Sequence, residues 1–107
     1  MTPNIVDTET YAEFRASVGE EFAAELVATF MQEAPLMLSA LKAADASHDP
    51  DGFRRAAHSI KSNAEIFGAT ALADIARQME TSGAPTIDAL EATLSQTEIA
   101  LRALMDA

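Results

Sequence analysis

Residues 51–68 read DGFRRAAHSIKSNAEIFG, and the placement of one histidine within them decides both the fold and the function to be sought. Each residue turns an α-helix by about 100°. With Phe53 at zero, Ile60, Ala64, Ala57 and Phe67 fall within roughly 40° of it and make an apolar face. His58 falls about 140° away, near the middle of the polar side. Lys61, Ser62 and Glu65 lie three, four and seven residues on and share its surface, with Arg54 four residues before. A histidine that served the core would sit among the Phe and Ile positions. This one is expected to face solvent within reach of another molecule.

The same periodicity extends outward. Asp49-Pro50 before the stretch is an N-cap with proline at the first helical position, and Ser47 to Pro50 is a turn. Before it, Phe22, Ala23, Leu26, Phe30, Ala34, Met37, Leu38 and Leu41 recur at helical spacing from Glu20 to about Ala46. Pro35 lies toward the solvent side of that helix and is expected to kink it. A shorter helix precedes it, from about Thr8 to Ser17. Asp7 or Thr10 is its candidate cap, Thr10 and Glu13 having capping-box spacing, and Gly19 its stop. Tyr11 and Phe14 can share a face. After Gly68, Leu72, Ile75, Ala76 and Met79 mark a helix from about Thr70 to Ser82. Gly83, Ala84 and Pro85 form a turn. Thr86 caps a last helix that carries Ile87, Leu90, Leu94, Leu101, Leu104 and Met105 inward, with Ile99 off the main face. No stretch alternates with period two. The expected fold is all-α: an antiparallel up-down-up-down four-helix bundle with a short additional N-terminal helix, one domain over residues 1–107.

Composition excludes several kinds of function. The chain of 107 residues is 49% hydrophobic, enough for a core, and carries a formal charge of -10 from 7 basic and 17 acidic side chains. Such a body repels nucleic acid and anionic lipid. Arg54, Arg55, Lys61 and Arg77 are the local exception, read as gathering near His58. There is no cysteine, hence no disulfide framework and no thiolate metal site. His48 and His58 sit ten residues apart on different elements, no carboxylate or histidine pair has metal-ligand spacing, and no metal is expected. No glycine-rich loop could cradle a nucleotide and no serine occupies a nucleophile elbow, so no cofactor and no ATP site are expected. The N-terminus shows no signal peptide and no run could span a bilayer, so the expected location is cytoplasmic.

His58 remains. A neutral imidazole nitrogen is a nucleophile, and a phosphoryl group moves through a loose transition state whose charge spreads over its equatorial oxygens. An acceptor therefore needs open access, a cation close by and small neighbours. His58, Lys61 and Ser62 meet those needs in that order. His48, in a turn, is read as merely solvated.

The run His58-Ser59-Ile60-Lys61-Ser62, followed by Gly68, Leu72, Met79 and Glu80, resembles the histidine phosphotransfer (HPt) domain of bacterial phosphorelays. That resemblance implies a phosphocarrier, not an enzyme with its own ATP site. It implies that His58 accepts the phosphoryl group, Lys61 steadies it, and Glu80 approaches the ring from the next helix and orients it. Ser62 stands where many members have glycine. Gly68 matches a later glycine, and Arg77 points toward the same site. Arg54, Ser62, Glu65, Gly68 and Arg77 are thus the candidate binding residues. The implied partners are response-regulator receiver domains, docking on the first helix and the histidine helix, with a hybrid histidine kinase as a further candidate. The expected state is a monomer. Two rival readings are a binding-only helical adaptor with an idle His58 and a dimerising kinase fragment. The latter would carry an acidic residue where Ser59 stands.

Overall fold

The computed structural model describes residues 5–82 and 87–106. They form five helices: α1, Thr8–Val18; α2, Glu20–Ala46; α3, Pro50–Ile66; α4, Thr70–Ser82; and α5, Ile87–Asp106. The expected turn at Gly83, Ala84 and Pro85 and the cap at Thr86 lie outside the described residues.

Local chemistry sets most of the boundaries. Asp7 caps α1, its carboxylate accepting the backbone N–H of Glu9 at 3.1 Å and the hydroxyl of Thr10 at 2.9 Å. Thr10 therefore serves the cap instead of being it, and the Thr10–Glu13 box does not form. A single residue, Gly19, separates α1 from α2. Its backbone at φ 92, ψ 149 is a region open essentially to glycine alone. α3 begins as the sequence implies: Asp49 accepts the N–H of Gly52 at 3.0 Å, and Pro50 occupies the first turn, where its missing N–H costs nothing. Pro35 lies on the exposed side of α2, and the helix runs through it from Glu20 to Ala46.

The helices close a ring. α2 packs on α3 and α5, α4 packs on α3 and α5, and α1 lies across α2 and α3. The α3–α4 contact is the most extensive, and small side chains make it close. α3 buries Ala56, Ala57, Ile60 and Ala64, and α4 buries Leu72, Ala76 and Met79. Around this seam stand Val27, Phe30, Leu38 and Leu41 of α2 and Leu90, Leu94 and Leu101 of α5. The rings of Phe14 and Phe30 meet that of Phe67 at centroid distances of 5.2 and 5.4 Å, the first edge-on. Thr97 is the one buried polar side chain among the described residues, and its hydroxyl donates to the Thr93 carbonyl at 2.7 Å.

Two features depart from the sequence reading. Phe22, expected inward, is 51% exposed, and Val27 is fully buried in its stead. The core stripe of α2 is centred on Val27, Ala34 and Leu38, and Phe22 stands about 140° from Val27 around the helix. Phe53, Ile75, Ile87, Leu104 and Met105 are partly buried against the core, and Ile99 is exposed, as its off-face position implies.

Gly68 fixes the α3–α4 turn. It adopts φ +74, and a Cβ built on it would lie 2.8 Å from the Asp7 carbonyl oxygen and 2.9 Å from Thr10 Cβ. Its own carbonyl accepts the Asp7 N–H at 2.7 Å. The residue thus combines a left-handed backbone with close approach of the chain leading into α1, and both demand glycine. Gly68→Ala is expected to destabilise the protein by about 1–3 kcal/mol. Chemical denaturation followed by circular dichroism measures this, and a stability equal to that of the unmutated protein would refute it.

Candidate functional site

The short turn at residues 67–69 folds α4 back alongside α3, which brings together side chains 22 residues apart. His58 Nδ1 lies 2.9 Å from Glu80 Oε1. The other carboxylate oxygen, Oε2, lies 2.9 Å from Lys61 Nζ. Glu80 therefore holds the ring with one oxygen and the ammonium with the other. Lys61 follows His58 by three residues, so the two project from one surface of α3 toward the same acid. The His58 side chain is 57% exposed, against 24% for Glu80 and 21% for Lys61. The ring stands at the surface while its two partners sit lower, against the helix seam.

This geometry assigns the tautomer. An ionised carboxylate only accepts hydrogen bonds, so Nδ1 must carry the proton and donate it to Oε1. In the neutral ring Nε2 then holds the free lone pair. Ser62 Oγ lies 3.4 Å from Nε2. A hydroxyl at that distance donates weakly and blocks little. The arrangement is a nucleophilic nitrogen directed away from its own anchor, with one cation a turn along and a small side chain beside it.

Two of the remaining sequence candidates have acids of their own. Arg54 is paired with Asp51 and Arg77 with Asp74, the latter at 3.0 Å, each acid lying three residues earlier on the same helix. Arg55 lines the groove between α2 and α3. Of the four cations expected around His58, Lys61 is the one bonded into the site. Arg54 shares with Glu80 a shallow groove lined also by Phe53 and Met79. Glu65 is exposed on α3, and Gly68 is buried beneath Asp7 and Thr10. Periodicity missed the Lys61–Glu80 pair, because it joins two helices. The Arg54 and Arg77 pairs were visible as acids at i−3. No group of three or more His, Asp or Glu among the described residues is placed to hold a metal. No helix among them is long and apolar enough to cross a membrane.

The carboxyl of Glu80 titrates below its ordinary value of 4.5. The hydrogen bond from Lys61 is the main cause; partial desolvation opposes it, and the hydrogen bond from His58 and the two neighbouring charges add to the lowering. A folded-state value below the unfolded one means that the ionised carboxylate stabilises the fold above the ordinary value. That contribution is lost as pH falls through the lowered folded value. The difference in Tm between the protein and Glu80→Gln is therefore expected to be present above about pH 5 and to vanish in more acidic buffer. Thermal unfolding of both proteins across that range measures it, and a difference independent of pH would contradict the assignment.

A family model described as "Hpt domain" matches residues 25–107, a span that holds His58, Lys61, Ser62 and Glu80. No curated protein and no solved structure gives a match. The site geometry and the family match lead to one conclusion: this chain belongs to the Hpt-domain family, the phosphocarrier modules whose histidine takes part in phosphorelays.

Proposed function

We propose that the protein, as one HPt unit over residues 1–107 and an antiparallel up-down-up-down four-helix bundle with an added N-terminal helix, relays a phosphoryl group between phospho-aspartyl receiver domains through a phosphohistidine at His58. The observation that carries the reading is the exposed imidazole whose Nδ1 is tied to Glu80, leaving Nε2 as the free nitrogen. A receiver docks over the surface formed by the first helix and the exposed side of α3. The Nε2 lone pair attacks the phosphorus of the acyl phosphate. The P–O bond breaks with its electron pair on the aspartate oxygen. In the second half the Nε2–P bond breaks in favour of another receiver's carboxylate.

Each residue has a role in that sequence. His58 is the nucleophile and carrier. Glu80 keeps the ring in the reactive tautomer and in line with the incoming phosphorus, a positioning role. Lys61, a flexible point charge with two N–H groups beyond the one given to Glu80, meets the developing charge on the equatorial oxygens. Ser62 leaves room for the partner. The chain acts as a carrier in the cytoplasm, as a monomer, with no cofactor of its own; the receiver supplies the remaining catalytic groups. A hybrid histidine kinase is the further partner of this scheme.

Incubation with a phosphorylated receiver is expected to label the protein with an acid-labile, alkali-stable phosphate. His58→Gln is expected to abolish the label. Its retention would refute the assignment of His58. Lys61→Ala is expected to slow transfer by about tenfold, the scale of one electrostatic contact at a partly exposed site. Its circular dichroism spectrum should match that of the parent, and an unchanged rate would make the lysine incidental.

A further inference from the structure

Glu80 is an acid where a neutral amide could make the same hydrogen bond to the ring. An amide carbonyl would accept the Nδ1 proton at the same distance and fix the same tautomer. The added negative charge therefore needs a separate account, and the chemistry of a phosphorylated imidazole supplies one. When Nε2 of a ring protonated at Nδ1 bonds to phosphorus, the ring becomes formally cationic. If the Nδ1 proton then leaves to water, the ring is neutral, and breaking the Nε2–P bond must expel an imidazolate-like anion. If the proton stays, the same bond breaks with its electron pair returning to Nε2, and the leaving group is a neutral imidazole. The first form stores the phosphoryl group and the second releases it.

We infer that the negative charge of Glu80, beyond its hydrogen bond, holds the Nδ1 proton on the ring of His58 after Nε2 has been phosphorylated, and so makes the site a transmitting carrier instead of a storing one. The inference rests on the phosphocarrier reading above. The charged groups that meet the ring are Glu80 from α4, 2.9 Å from Nδ1, and Lys61 from its own helix, bonded to the second oxygen of Glu80. From α2, Met37 meets Asn63 on this stretch of α3, and among the described residues neither α2 nor α1 forms an ion pair with the ring. Among the described residues no cation is bonded to Oε1, the oxygen that faces the ring proton. Lys61 strengthens the effect as the reaction proceeds. Drawn toward the phosphoryl oxygens, its ammonium loosens from Oε2, and the carboxylate's charge is left more fully to the ring. No proton has to move in either half of the cycle: the ring enters and leaves with Nδ1–H in place.

The test uses the whole protein phosphorylated chemically with phosphoramidate, and Glu80→Gln treated likewise, the variant keeping the acceptor and removing the charge. Long-range ¹H–¹⁵N NMR of the phosphorylated ring at neutral pH is expected to report a protonated Nδ1 in the parent and an unprotonated one in Glu80→Gln. Loss of the phosphate in neutral buffer is expected to be roughly three- to tenfold slower in the variant, the gap between a hydrogen bond to a charged acceptor and one to a neutral acceptor. Release of Lys61 in the variant lengthens the lifetime too, so the ring's protonation state is the deciding readout. An unprotonated Nδ1 in the phosphorylated parent overturns the inference by itself, as does the same ring state in both proteins, while the carrier reading stands. Failure of His58 to accept phosphate at all overturns that reading and the inference with it.

Discussion

The bond between His58 and Glu80 exists because α3 and α4 share the most extensive helix contact in the fold, along a seam lined in part by small side chains. Ala57 and Ala64 on α3 and Ala76 on α4 are fully buried, so little bulk holds the two backbones apart. The residues next to the bonded pair are buried: Ala57 precedes His58 and Met79 precedes Glu80, at 0% and 1% exposure. A glutamate side chain has three torsions and would lose considerable freedom if it were ordered on an open surface. Here its stem rises from a packed seam, and both oxygens are engaged. The ring is thereby oriented by a carboxylate that is itself only partly exposed, which is how a site is preorganised without being covered.

Charge is distributed with a similar division. The body carries a formal -10, which disfavours polyanions as partners. Arginines stand near the site in sequence, yet Arg54 and Arg77 have acids of their own three residues back. Exposed pairs of this kind contribute little to stability, but they mute the local field. What remains at the ring is one ammonium and one carboxylate. A single cation of that sort can follow a phosphoryl group as it arrives and departs. A cluster of free arginines would instead hold the group in place, bidentate and persistent.

How much of this the sequence disclosed follows from the range of each interaction. The Asp49–Pro50 start of α3, the bounds of α2 and α4 and the outward face of His58 are set by neighbours within one or two turns, and periodicity and capping found them. Phe22 departs from its expected place because residue type does not assign a face: it stands in the first turn of α2, while the stripe through Val27, Ala34 and Leu38 runs on another side. The Thr10–Glu13 spacing suggested a cap that Asp7 had already supplied. Sequence proximity groups Arg54 and Arg77 with the histidine, and the acids three residues before each, Asp51 and Asp74, pair with them. The His58–Glu80–Lys61 bridge joins two helices across 22 residues, beyond the reach of any local pattern, and Glu80 entered the sequence reading through family resemblance alone.

Ser62 bears on the same balance from the other side of the ring. Its hydroxyl sits 3.4 Å from Nε2, the nitrogen that the proposed relay phosphorylates. A hydrogen bond that long is weak, and its loss on phosphorylation costs less than a short one would. The hydroxyl then has new acceptors in the phosphoryl oxygens. Glycine at this position would leave the approach open but offer them nothing, whereas a longer side chain would fill it. With Glu80 fixing the Nδ1 edge of the imidazole from the packed seam, the other nitrogen meets a rotatable hydroxyl, and an ammonium stands one turn along the helix. Rigidity on the side of the anchor and compliance on the side of the reaction are what a carrier that must accept and surrender the same group requires.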